Sequence, residues 1–324
     1  MTMTDQIAVV LCTFVAIVDR ARIVVDAVRG TVTGYMMKTS FALVAGALMA
    51  ASIAVAADAP PADAWRTVDP DNLLLIDTRY GQTVIELAPQ FAPEHVKRMK
   101  AMVRAHFFDG KTFYRVIDGY VAQAGIENDT PQSRADWPAL KAEFDRPDGP
   151  DIPFTPLGSP DLWAPEVGHV AGFAVGHDPK EGKMWLLHCP GSVAFARDPA
   201  PDTASTEFYV VLGEAPRRLD RNLTVFARVI AGMQYLQKLK RGDSDTDSGV
   251  IKPGPGRDPI LHMRLAADMP EKQRPHFAVL KTESDYFAKD KQARMHPGTS
   301  FLVREPPPVL DICNVSVSVR QVKL

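Results

Sequence analysis

Phe113-Tyr114-Arg115-Val116-Ile117-Asp118-Gly119-Tyr120-Val121-Ala122-Gln123-Ala124-Gly125 is the stretch that decides the fold of this 324-residue chain. Residues 112–117 are rich in β-branched and aromatic side chains, as a strand requires. Gly119 breaks the run, residues 120–123 resume it, and Gly125 closes it. One arginine and one glutamine stand inside these two strands. A lone strand arginine is ordinarily a solvated charge, so its neighbours must show whether this one does more.

Upstream, residues 73–77 and 83–87 are two further β-rich runs, separated by a turn at Tyr80-Gly81, which predicts a hairpin. Pro93 and Glu94 then open a helix, proline because its missing N–H costs nothing in the first turn, glutamate because it faces the positive end. Val96, Met99 and Val103 follow at helical spacing, and Asp109-Gly110 ends the unit. Downstream, residues 127–190 are turn-rich, with Glu143-Phe144 as a short strand. Residues 192–196, 207–212 and 223–229 are strands. Met233, Leu236 and Leu239 share a helix face, with Lys238, Lys240 and Arg241 at its negative end and Gly242 as its C-cap. Many short strands, two helices and no βαβ rhythm point to a mainly β protein, a closed antiparallel barrel capped by helices.

The composition is that of a globular protein: 46% hydrophobic, 23% charged, net charge −2. No block of like charge is present, so nothing suggests nucleic acid or an anionic membrane surface as a partner. Proline is enriched, 27 in all, against a usual level of roughly 5%. The prolines gather in residues 147–165, 253–275 and 306–308, which are read as rigid irregular connections.

Residues 41–57 form an apolar run preceded by Lys38 and ending in small residues before Asp58. This is the pattern of a secretory signal cleaved near Ala57, which predicts a periplasmic protein. A permanent inner-membrane anchor is the alternative, although the run is at the lower limit for a span. Signals begin close to a start, and Met36-Met37 directly precede Lys38. Residues 1–35 are then an upstream start artefact, and 1–57 as a whole fall outside the fold.

Cys189 and Cys313 remain in the mature chain. With no CxxC there is no zinc ribbon or thioredoxin-like site. In an oxidising compartment the two could pair, closing a loop that the chain-entropy model values at up to roughly 4 to 5 kcal/mol; two free buried thiols are the alternative.

The opening stretch resembles the signature of cyclophilins, the peptidyl-prolyl cis/trans isomerases: Phe-x-Arg-Val-Ile, two spacers, an aromatic, then Gln and Gly. The likeness continues in order. His188-Cys189-Pro190-Gly191, then Val193-Ala194-Phe195-Ala196-Arg197, is similar to the family's His-x-x-Gly strand. Thr206-Glu207-Phe208-Tyr209-Val210 resembles Ser-Gln-Phe-Phe-Ile. Leu219-Asp220, Val225-Phe226, Val229 and Gly232-Met233 match the run before the second helix. The resemblance covers about residues 72–145 and 186–268. It implies a closed eight-stranded barrel with two capping helices, in a domain spanning 58–268, interrupted by an insertion near 147–185 and followed by an extension, 269–324, packed on the barrel.

Rotation of an X-Pro bond is slow because amide resonance sets a barrier of about 18 to 20 kcal/mol. Lowering it requires no cofactor and no metal, only a group that favours the twisted bond, whose nitrogen regains its lone pair. An arginine suits this because it stays charged and presents a rigid fork of donors. By resemblance Arg115 is catalytic and Gln123 holds the substrate backbone. Tyr120, Val121, Tyr209 and Leu219 line an apolar pocket for the proline ring, Ala196 and Arg197 flank the peptide main chain, and Phe113, Glu207 and Leu223 are counted with them as substrate-binding. The expected partners are proline-containing peptides or unfolded chains, and the expected state is a monomer.

Four positions depart from the family, and its glycine-rich turn after Gly125 is missing, with Ile126-Glu127-Asn128-Asp129 in its place. Glu207 replaces a glutamine and, if near Arg115, draws on its donors; Tyr209 adds a hydroxyl that needs a partner. Arg218 and Leu223 stand where tryptophan and histidine are common. A binding or scaffold module without turnover is therefore the rival expectation. No GxSxG or HExxH supports a hydrolase. His169, His177, His188 and Cys189 match no compact zinc spacing and are read as ordinary polar histidines. Alternating Val315, Val317 and Val319 suggest an added edge strand lying on the barrel, with a free peptide-like segment as the alternative.

Overall fold

Leu73-Leu74-Leu75-Ile76 is apolar at every position because the strand that carries it is buried on both faces. The structure, a computed structural model, describes residues 59–322 apart from 128, 129, 131, 133 and 134; the leader assigned to residues 1–57 lies outside the described residues. Leu74 and Ile76 enter the main core, while Leu73 and Leu75 enter a second one behind it. The same division recurs along the sheet. Phe208 and Val210 face the main core, whereas Tyr209 and Val211 face a cluster shared with the insertion.

The main sheet has nine antiparallel strands. Their spatial order is Asp258–Pro259, Thr112–Val116, Val121–Ala124, Phe208–Val211, Ser192–Phe195, Val225–Ala231, Gly81–Leu87, Leu73–Thr78 and His262–Leu265. It curls around the main core but is open, which corrects the expectation of a closed eight-stranded barrel. No ladder among the described residues joins its two edges. Asp258–Pro259 and His262–Leu265 lie at opposite edges although only two residues separate them, so a short stretch of chain spans the gap.

The helix Pro93–Arg104 closes one end, burying Val96, Met99, Met102 and Val103. Its N-terminus is served by Glu143, which accepts the backbone N–H groups of Glu94 and His95 at 3.1 and 3.0 Å and contacts His95 Nδ1 at 2.7 Å. Glu143-Phe144 is therefore a capping segment, not the short strand expected. The second helix is a single turn, Met233–Leu236. Gly242 is not its C-cap. It lies against the site strand, its N–H donating to the Val116 carbonyl at 2.8 Å.

The insertion, read as irregular, builds its own five-stranded antiparallel sheet: Arg146–Pro147, Lys183–Leu186, Phe173–Asp178, Glu166–Val170 and Thr155–Pro156 in spatial order. Ile152, Phe173, Val175 and Met184 pack it on the outer face of the main sheet, against Val121, Ala194, Tyr209 and Val225. The C-terminal extension supplies a helix, Asp285–Met295, capped by the Ser284 hydroxyl, and the strands His276–Leu280 and Val319–Val322. These two strands pair with each other and, through His276–Leu280, with Trp65–Thr67. Of the alternating valines expected to form an edge strand on the barrel, Val315 and Val317 lie outside any strand and only Val319 begins one, in a separate three-stranded sheet that lies over Leu73, Leu75 and Val84. Cys189 and Cys313 are joined as a disulfide that ties the extension to the start of the strand Ser192–Phe195.

Candidate active site

Strict alternation along Thr112–Val116 would place Tyr114 and Arg115 on opposite faces. The pairing instead shifts register between Phe113 and Arg115, so that Phe113 opposes Ala124 while Arg115 opposes Gln123. This is a β-bulge, and it turns two successive side chains to one side. Phe113 and Val116 remain inside the core, leaving Tyr114, Arg115 and Gln123 together outside. Phe113 is accordingly placed away from any substrate. It is fully buried, edge-on to Phe208 with ring centroids 6.3 Å apart.

The Arg115 guanidinium is fixed by two bonds. Its Nε donates to the Ser248 carbonyl at 2.8 Å and its Nη1 to Gln123 Oε1 at 3.2 Å, which uses two of its five donors. Gln123 Nε2 donates to Glu207 Oε2 and to the Tyr114 hydroxyl, both at 2.6 Å. Tyr114 completes the cluster by donating its own hydroxyl proton to Glu207. Burial first, then the Glu207 charge, pushes the Tyr114 phenol above its ordinary range, so the hydroxyl stays protonated. Gly125 permits this approach: its φ is +135°, and a Cβ there would lie 2.5 Å from the Thr206 carbonyl and 2.8 Å from Glu207 Cα.

Beside Arg115 lies a hollow of about 220 Å³, lined by Arg115, Tyr120, Val121, Gln123, Ala196, Arg197, Tyr209, Leu219 and Leu223. Every residue expected to contact substrate is here except Phe113 and Glu207. Glu207 lines a neighbouring cavity of about 540 Å³, with Tyr114, Glu127, Ser205 and Val250 among its other walls. Arg115, Gln123, Ala196 and Arg197 border both spaces. The two cavities therefore adjoin, with the Arg115 guanidinium among the walls they share. Sequence reasoning missed Tyr114, whose position depends on the bulge, and Ser248, which comes from a distant loop.

A match to the family model described as cyclophilin type peptidyl-prolyl cis-trans isomerase/CLD extends over residues 73–262. The chain belongs to the cyclophilin family. It is a peptidyl-prolyl cis-trans isomerase of that type. A probable peptidyl-prolyl cis-trans isomerase of Brucella suis is 28% identical over 227 residues, covering 70% of this chain and 96% of that protein. Peptidyl-prolyl cis-trans isomerase B of Bacillus subtilis is 25% identical over 158 residues, covering 49% of this chain and 82% of the relative. Among solved structures, cyclophilin AquaCyp293 from Hirschia baltica matches with a TM-score of 0.63 and 26% identity, over 79% of this chain and 93% of its own.

The departures of this cyclophilin from the family pattern are structurally accommodated. The Tyr209 hydroxyl meets His188 Nε2 at 2.8 Å, and His188 Nδ1 meets Asp220 Oδ1 at 3.0 Å. Since a carboxylate only accepts, Nδ1 donates to Asp220, and in the neutral ring Nε2 accepts from the Tyr209 hydroxyl. Arg218 places its guanidinium 5.8 Å from the Tyr120 ring centroid, at the lip of the hollow. Arg197 is tied back by its Nε to the Asn222 carbonyl at 2.9 Å. Among the residues weighed for zinc, His169 is buried edge-on to Phe287, with ring centroids 5.3 Å apart. His177 lies between Glu166 and Asp148, His188 beneath Tyr209, and Cys189 in the disulfide.

Proposed function

We propose that this cyclophilin rotates X-Pro bonds of exported polypeptides, assisting their folding, with Arg115 as the group that lowers the barrier. The carrying observation is one guanidinium, held by Ser248 and Gln123, bordering an apolar hollow of about 220 Å³. Tyr120, Val121, Tyr209, Leu219 and Leu223 receive the proline ring. As the bond twists, resonance is lost and the prolyl nitrogen regains its lone pair. Arg115 donates to that nitrogen, an interaction absent from the planar ground state and therefore spent on rate rather than on affinity. Gln123 takes a different role from the one the family resemblance implies. Both hydrogens of its amide go to Tyr114 and Glu207, so its carbonyl orients Arg115.

Two features support export: the signal-like run at residues 41–57 and a cysteine pair joined in a disulfide, which is characteristic of oxidising compartments. Proline isomerisation takes tens of seconds uncatalysed, so it limits folding there.

A protease-coupled assay on a proline tetrapeptide tests the activity: the wild-type chain accelerates the slow phase, and Arg115→Ala returns it to near background. Equal background rates for both would favour a peptide-binding module instead, a reading to which Glu207 beside Gln123 lends weight. Cell fractionation with N-terminal sequencing tests location, the expected result being a periplasmic chain that begins near Asp58. A full-length chain in the membrane fraction would favour the anchor.

A further inference from the structure

Leu219 and Leu223, which wall the hollow, sit on one loop, and two arginines of that loop are held by the insertion, Arg217 by Asp161 and Arg221 by Glu181 and Trp185, with Asp145 just before the insertion also gripping Arg221. Arg217 is 6% exposed and forks onto Asp161, Nη1 to Oδ2 at 3.1 Å and Nη2 to Oδ1 at 3.0 Å. Asp161 is itself fixed by the backbone N–H groups of Trp163 and Ala164 at 2.8 and 2.9 Å. Arg221 donates Nε and Nη2 to Asp145 Oδ2 at 3.1 and 2.8 Å, lies 2.8 Å from Glu181, and stacks 4.8 Å from the Trp185 ring centroid. Arg221 also has φ +59°, a left-handed conformation that a non-glycine residue keeps only where its surroundings hold it. Between the two arginines, Asp220 holds His188, which holds Tyr209 at the hollow. No insertion residue lines the hollow itself.

We propose that Arg217 and Arg221 are positioning residues through which the insertion sets the opening of the proline hollow. A loop kept in place before substrate arrives loses little freedom on binding. Once released, it must be ordered at substrate's expense, which weakens affinity. Arg115 and Gln123 stand on other strands, so the rotation step is untouched. The brace rests on the isomerase reading of the hollow, and the experiment separates the two.

Exchange NMR on an Ala-Pro tetrapeptide, titrated against the full chain, gives kcat and KM separately. Arg221→Gln raises KM by about tenfold and leaves kcat within about twofold, the pattern of lost uniform binding. Arg221→Lys recovers part of the loss, because it keeps the charge without the fork. Glu166→Gln, which loosens His177 in the same sheet, leaves both constants at wild-type values. A wild-type KM in Arg221→Gln, a fall in kcat alone, or an equal rise of KM in Glu166→Gln overturns the brace. If the wild-type chain shows no turnover, the isomerase reading fails by itself. Calorimetric titration of the same peptide then decides the brace, with about tenfold weaker binding by Arg221→Gln expected and unchanged binding overturning it.

Discussion

Gln123 Nε2 stands 2.6 Å from Glu207 Oε2, and the same amide presents its oxygen to Arg115 Nη1 at 3.2 Å. The carboxylate thus fixes the orientation of the side chain that orients the arginine, while placing negative charge behind the guanidinium proposed to act on the twisted bond.

Glu207→Gln separates those two effects. A glutamine carbonyl accepts from Gln123 and Tyr114 as the carboxylate does, but without the charge. Arg115 then acts as a stronger electrostatic partner for the twisted bond. The expected outcome is a rise in kcat of roughly threefold to tenfold, the scale of a partly solvated charge interaction near 1 kcal/mol. Steady-state rates on one proline peptide check it, and a fall would show that Glu207 serves catalysis as it stands.

Tyr209→Phe keeps the ring in the hollow and removes the hydroxyl. His188 Nε2, in a fully buried ring, then has no donor. The expected cost is about 1 to 3 kcal/mol, the penalty for an orphaned buried acceptor. Urea unfolding measures it. The KM for peptide changes little, since the hydroxyl faces His188 and not the groove.

His177 gives the insertion a pH dependence. Burial lowers its pKa, but hydrogen bonds to Asp148 and Glu166 outweigh that and raise it above the ordinary 6.5. A raised histidine contributes stability that is complete below its unfolded pKa and disappears as pH rises through the folded one. His177→Gln is therefore more destabilising at pH 5.5 than at pH 9. Denaturation midpoints of both proteins at the two pH values check the sign. Glu143 runs the other way. Burial raises its carboxyl, yet the His95 side chain and the N–H groups of His95 and Glu94 hold it below the usual value, so its contribution is lost as pH falls through the folded pKa.

The disulfide spans 124 residues of sequence. The chain-entropy model assigns a loop of that size about 4 to 5 kcal/mol. Reductant lowers the urea midpoint of the wild type accordingly, and Cys189→Ser/Cys313→Ser matches the reduced protein and ignores reductant. A wild type equally stable with and without reductant would contradict the contribution.

The motifs drew together residues that the structure also gathers, because most of them sit in or beside strands with ordered spacing: Arg115, Gln123, Tyr120, Val121, Ala196 and Tyr209 all line the hollow. Tyr114 was not legible, since a bulge is set by the partner strand and leaves no local signal. Phe113 was misplaced for the same reason. The closed barrel failed because strand pairing at the sheet edges is a tertiary outcome, and Asp258–Pro259 is too short to show a period. Within the insertion, Glu166–Val170 and Phe173–Asp178 form a hairpin joined by Ala171-Gly172, both at positive φ. Asparagine or glycine is usual at the first of these positions, so alanine concealed the turn. It is held from outside, with Arg66 and Arg228 donating to the carbonyls of Ala171 and Gly172. The helix Asp285–Met295 buries only Phe287 and Met295, too few apolar positions to reveal itself by periodicity.

Under the proposed mechanism, Arg115 acts on the twisted bond and hardly at all on the planar one. Exchange NMR on a saturating proline peptide, combined with calorimetric affinity, measures both for the wild type and Arg115→Ala. Arg115→Ala lowers kcat by at least roughly a hundredfold, on the scale of removing a donor from a developing charge, with peptide affinity within about threefold of wild type. An unchanged kcat, or a loss that appears only as weaker binding, would contradict it.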